Sequence, residues 1–155
     1  MQKLLKIIAG GLGLVALFMM FLPQVVIHWN SGIKEAIGIQ AFAGGTFGEG
    51  TEIKTIGAGL AGYILLGSAG LILLLCAFVP FFKDHDVLNY IATGLAIICL
   101  IVGIIMIFLI RKNFMDTNGF MSKEVYVGAG AIVGGSLGGL AIAFGGLGLI
   151  LDFAK

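Results

Sequence analysis

The chain divides into apolar runs and polar gaps with almost no mixing. Its nine basic and eight acidic residues all fall into five short segments. Between them lie four windows without charge: Ile7–Ile27, Thr55–Phe82, Val87–Ile110 and Val125–Leu151. A helix needs about 20 apolar residues to cross a hydrocarbon core of about 30 Å, and each window supplies them. Helices on the surface of soluble proteins carry a polar stripe, and these windows carry none. The pattern predicts an all-α membrane protein, a four-transmembrane-helix bundle with spans at about 4–26, 59–82, 88–110 and 126–151. Those spans use most of the 155 residues, so residues 1–155 read as a single four-span membrane domain.

The connections differ in character. The first, about Gln24 to Lys54, is the largest. Val25, Ile27 and Trp29 alternate with Gln24, Val26 and His28, and Ile37, Ile39, Ala41 and Ala43 alternate with Gly38, Gln40 and Phe42. Both runs have strand period, and Asn30-Ser31-Gly32 between them reads as a turn. A small extracellular β-hairpin lying on the membrane surface is the preferred reading. The rival is a short helix with Ile33, Ala36, Ile37 and Ala41 on one face. The glycine-rich stretch Gly44–Gly50 reads as irregular. The second and third spans are joined only by Lys83-Asp84-His85-Asp86, which forces an antiparallel hairpin. In the last connection Asp116-Thr117-Asn118-Gly119 reads as a tight turn.

Composition supports this picture. The chain is 59% hydrophobic and 11% charged, against roughly 25% charge in an average soluble domain. The net charge of +1 and the mixed signs outside the windows give no reason to expect a nucleic-acid partner. Cys76 and Cys99 both lie in apolar windows, which argues against a disulfide framework. Lys3 and Lys6 precede an apolar run too long for a signal peptide, so the first span is read as an uncleaved anchor. With the N-terminus inside, Lys3, Lys6, Lys83 and Lys155 face the cytoplasm, and Lys34, Lys54, Arg111, Lys112 and Lys123 lie outside. The totals do not decide, but the first span usually dominates. Both termini are therefore placed in the cytoplasm of a multi-pass cell-membrane protein.

The densest signal is glycine. In the fourth span Gly130, Gly134 and Gly138 are spaced by four, and Gly135 and Gly139 form a second stripe beside them. Such glycine-zipper spacing lets helix backbones approach closely in lipid. It predicts that the fourth helix makes the closest helix contact, with the second stripe serving another subunit. Charged residues in mid-membrane mark ion paths and proton relays, and the windows contain no Asp, Glu, Lys, Arg or His. His28 and His85 fall on opposite sides of the membrane and cannot share a metal. No nucleophile–base pair and no phosphate loop are evident. The expectation is a protein that is not an enzyme and uses no cofactor.

The layout resembles tetraspan junction proteins of the claudin type: inside termini, a large first loop with strand character and a glycine-rich span. The first loop departs from that family, since it holds Trp29 but not the two cysteines of the family's motif. The stretch Leu4–Gln24, with Pro23 closing the span, is similar to small uncharacterised tetraspan membrane proteins of mollicutes and related Gram-positive bacteria, a resemblance that implies no activity. The expected function is therefore assembly in the lipid bilayer, as a homo-oligomer or as one subunit of a membrane complex. The surfaces expected to act are the fourth-helix glycines and a first-loop patch of His28, Trp29, Phe42 and Phe47. Two alternatives stand beside it. One is a channel or small-solute or lipid transporter with a pore between subunits. The other is an accessory or immunity protein bound to another membrane protein.

Overall fold

A computed structural model describes residues 1–47 and 50–154. In chain order, helix α1 (Gln2–Phe18) runs into a 3-10 turn (Met19–Phe21), then strands β1 (Val25–His28) and β2 (Lys34–Ile37) and a single helical turn α2 (Gln40–Ala43). Strands β3 (Gly45–Phe47) and β4 (Thr51–Ile53) lead to α3 (Gly57–Phe78), a short α4 (Pro80–Asp84) and α5 (Asp86–Phe108). Helix α6 (Ile110–Asn118), strand β5 (Val125–Val127) and α7 (Ala129–Phe153) complete the chain. Among the described residues, four helices are long and apolar enough to cross a membrane: α1 with its 3-10 extension, α3, α5 and α7.

Proline and β-branched residues set the ends of these helices. The first, expected to reach Val26, stops at Phe21. Pro23 has no N–H to continue the ladder and drives Leu22 to an extended ψ of 163°. Val25 and Ile27 then alternate inward in β1. Helix α3 stops before Pro80, which opens α4 at the position where its missing N–H is harmless. Tyr126, expected inside the fourth span, belongs to β5, and α7 starts three residues later.

The long helices pack around a ring in chain order, with α7 closing back on α1. Tyr63, Leu66, Leu73 and Leu100 fill the axis and are fully buried. The closest backbone crossings differ from the expectation for the fourth helix. A Cβ on Gly70 of α3 would lie 2.7 Å from the Gly10 carbonyl oxygen of α1, and one on Gly13 would lie 2.9 Å from the Leu66 oxygen. Between α3 and α5, a Cβ on Gly62 would meet the Gly103 oxygen at 2.9 Å. The α7 glycines opposite the other long helices mostly accommodate side chains.

Both loops fold at one end of the bundle into a single cap. The expected hairpin is present, but its second strand is β2, not the run 37–43. That run turns helical at α2 and buries Ala41 and Phe42 on one side. β1 is the central strand, antiparallel to β2 from Val25↔Ile37 to His28↔Lys34 and to β5 from Val25↔Val127 to Ile27↔Val125. The stretch expected to be irregular carries strand β3, which pairs antiparallel with β4 just beyond it, Gly45 opposite Ile53. The expected turn at Asp116–Gly119 is instead the end of α6, where Gly119 takes a left-handed φ of 75° as its cap. Val25, Ile27, Ile37, Ile53, Phe114 and Val125 give the cap a hydrophobic core of its own. The termini and α4 lie at the opposite end.

Candidate functional site

Three regions bring polar or recognisable groups together: the outer face of α7, the junction of cap and bundle, and the end of the bundle that holds the termini.

On α7, Gly134 faces the Tyr63 ring, Gly135 faces Phe108 and Gly138 faces Ile104 and Leu66. Gly130 lies against the carbonyls of Met19 and Leu22 and the amide of Gln24. Four of the five stripe residues are thus packed within the chain. Gly139 has nothing near it, and neither does Gly146. Together with exposed Ser136 and Ala143 they form a narrow outward face of small residues.

The junction is built on Gln24, which has no exposed surface. Its Nε2 donates to the carbonyls of Met19 and Leu22, at 2.8 Å each, and so satisfies the end of α1. The Tyr63 hydroxyl lies 2.7 Å from Gln24 Oε1 and 3.0 Å from the Gly130 carbonyl, so its one proton serves two acceptors. The Gly130 N–H donates to the Pro23 carbonyl at 2.7 Å, and the Gly128 N–H donates to that of Gln24 at 2.7 Å. The start of α7 is therefore tied to the end of α1 directly beneath the sheet.

Of the expected first-loop patch, His28 stacks on Tyr126 with ring centroids 4.5 Å apart. Trp29 packs edge-on against Phe120 and donates its Nε1–H to Glu35 at 3.1 Å. Both are half-buried. Phe42 does not join them. It is buried against Gly59 and Tyr63 as a plug from the cap into the bundle, with no surface left for a partner. Phe47 falls in β3, and its side chain lies outside the described residues. The two loops are joined by further bonds. The Lys54 N–H donates to Asn118 Oδ1 at 2.7 Å, and the His28 N–H donates to the Glu124 carbonyl at 2.7 Å. Arg111 holds the last connection by donating to the carbonyls of Val125 and Ser122.

At the terminal end lies a cluster that sequence reasoning missed. Lys6 and Asp152 are 3% and 7% exposed and form an ion pair, Nζ to Oδ2, at 2.5 Å. Lys6 also donates to Asn89 Oδ1 at 2.9 Å. The Tyr90 hydroxyl donates to the Asp152 carbonyl at 3.1 Å, and Gln2 Nε2 donates to that of Leu151 at 2.5 Å. These two carbonyls belong to the last turn of α7, where carbonyls lack helical partners. The pair forms the floor of a cavity of about 460 Å³ whose rim carries exposed Lys3, Lys83 and Asp86. The available signal was positional. Lys6 sits about one turn inside the start of α1 and Asp152 lies in the last turn of α7, and both helix ends are at the same face of the bundle.

No protein-family model matches the chain, and neither does any curated protein or solved structure.

Proposed function

We propose that this chain is a non-enzymatic membrane protein that works by contact, through its folded cap and the outward face of α7. Both termini would lie in the cytoplasm, and its partners are copies of itself or other membrane subunits. The carrying observation is the cap. Two loops far apart in sequence share one sheet and one hydrophobic core, locked to the bundle through Gln24, Tyr63 and Phe42. A cap held this firmly presents a fixed surface, which reduces the ordering cost of binding. The small-residue face at Ser136, Gly139 and Ala143 would let a second helix approach closely. The filled bundle axis argues against a pore within one subunit.

Cross-linking in native membranes tests this reading. In a background lacking Cys76 and Cys99, Gly139→Cys should form dimers on oxidation, while Ile98→Cys on the exposed side of α5 should not. A monomer in mild detergent together with no Gly139 cross-link would overturn self-assembly. Ion flux in liposomes above background would favour a pore between subunits instead. Labelling of a cysteine at Asp84 only from the cytoplasmic side supports the orientation.

A further inference from the structure

We propose that the cavity at the terminal end binds the phosphodiester headgroup of an anionic membrane phospholipid. The volume, about 460 Å³, falls within the roughly 300–1,000 Å³ of typical ligand sites. The lining charges can be assigned one by one. Lys6 and Asp152 neutralise each other on the floor. At the rim remain the ammonium groups of Lys3 and Lys83 and the carboxylate of Asp86. Among the described residues neither of those lysines is in an ion pair. The rim therefore has one surplus positive charge, which matches the single negative charge of a phosphodiester. Asn89 Nδ2, only 3.5 Å from Asp152, has a second hydrogen to offer a phosphate oxygen. Asp86 can accept from a headgroup hydroxyl, and the floor is not positive enough to favour a doubly charged phosphate.

Position makes the ligand a lipid. The cavity lies where α1 and α5 begin and where α3 and α7 end, the level of headgroups for helices that cross a bilayer. Phe78, Phe81, Leu4 and Val87 are exposed at the same end and offer apolar surface to acyl chains. Phe78 also holds Lys3 in place, since the ammonium lies 5.1 Å from the ring centroid. A free anion would gain nothing from that apolar border.

The test is titration of the detergent-purified full chain with dihexanoylphosphatidylglycerol below its micelle concentration. Dihexanoylphosphatidylcholine, glycerol phosphate and inorganic phosphate are titrated alongside. One saturable site for the phosphatidylglycerol is expected, with weaker binding of the other three. Basic residues near an anionic lipid each contribute roughly fivefold, so the double variant Lys3→Gln, Lys83→Gln should bind roughly 25-fold more weakly. Lys3→Arg with Lys83→Arg should bind like the parent, as should the cap control Lys34→Gln. Lys3 and Lys83 are exposed, so their variants should melt like the parent. Equal binding of phosphatidylcholine, or an unchanged double glutamine variant, would overturn the headgroup site. Inorganic phosphate binding as tightly as the lipid would overturn the lipid as ligand.

Discussion

Removing one member of the Lys6–Asp152 pair should cost far more than removing both. Each ion is almost fully desolvated, at 3% and 7% exposure. Breaking a buried pair leaves an uncompensated charge and costs about 3–5 kcal/mol, whereas replacing both partners by apolar residues is often neutral or stabilising. The two single changes should not be equal. In Asp152→Leu, Lys6 keeps Asn89 Oδ1 as acceptor, and its four-carbon stem can carry the ammonium toward the cavity mouth. About 3 kcal/mol is expected there. In Lys6→Leu, the short Asp152 side chain cannot follow water, and its one remaining donor is Asn89 Nδ2 at 3.5 Å. A loss nearer about 5 kcal/mol is expected. A chain of this size loses roughly 2–4 °C of Tm per kcal/mol, so Asp152→Leu should melt roughly 6–12 °C below the parent and Lys6→Leu lower still. The double leucine variant should melt within a few degrees of the parent. The assay is thermal unfolding of detergent-purified protein, followed by size-exclusion recovery. A double variant that loses the sum of the two single losses would show no coupling between the charges and refute the reasoning.

Gly70→Val should disrupt the α1–α3 crossing, because its Cβ would press on the Gly10 oxygen at 2.7 Å and the Leu14 nitrogen at 2.9 Å. Backbone cannot yield as a side chain can, so a loss of at least the roughly 1–3 kcal/mol of ordinary overpacking is expected, while Gly139→Ala should melt like the parent. Tyr63→Phe leaves Gln24 Oε1 buried without its donor, and about 1–3 kcal/mol of stability should be lost; an unchanged Tm would show that the junction is not held there. Asn118→Ala removes the acceptor of the Lys54 N–H, so hydrogen exchange at Lys54 should accelerate while the transmembrane amides stay protected.

The four long helices were legible because a bilayer excludes charge from its interior, and a run such as Thr55–Phe82 can satisfy that constraint in few ways. Helix ends were less legible, since alternation at Val25 and Ile27 competes with the apolar run that precedes it, and Pro23 decides. The cap was half legible. β1 announces itself by local period, but its second partner lies about a hundred residues away at Val125–Val127, and nothing in the local pattern of Tyr126 separates strand from span. Phe42 looked like a surface aromatic because its loop is polar. Only the meeting of α2 with Gly59 and Tyr63 makes it a plug.

Lys6 and Asp152 show how charge placement can report a contact. Each looks misplaced within its own helix. A cation near the N-terminus of α1 and an anion in the last turn of α7 both oppose the helix macrodipole. The antiparallel packing of α1 on α7 turns both interactions favourable. It sets Lys6 beside the negative end of α7 and Asp152 beside the positive end of α1, with the ion pair between them. Two local violations of the dipole rule, at the same end of two antiparallel spans, are therefore a readable sign of a contact. In a chain with so few charges, such violations locate a helix contact better than its many glycines do, because glycine spacing permits close packing without naming the neighbour. The same end holds the cavity with Lys3 and Lys83 at its rim, so the pair that closes the bundle is also the neutral floor against which an anionic headgroup would sit.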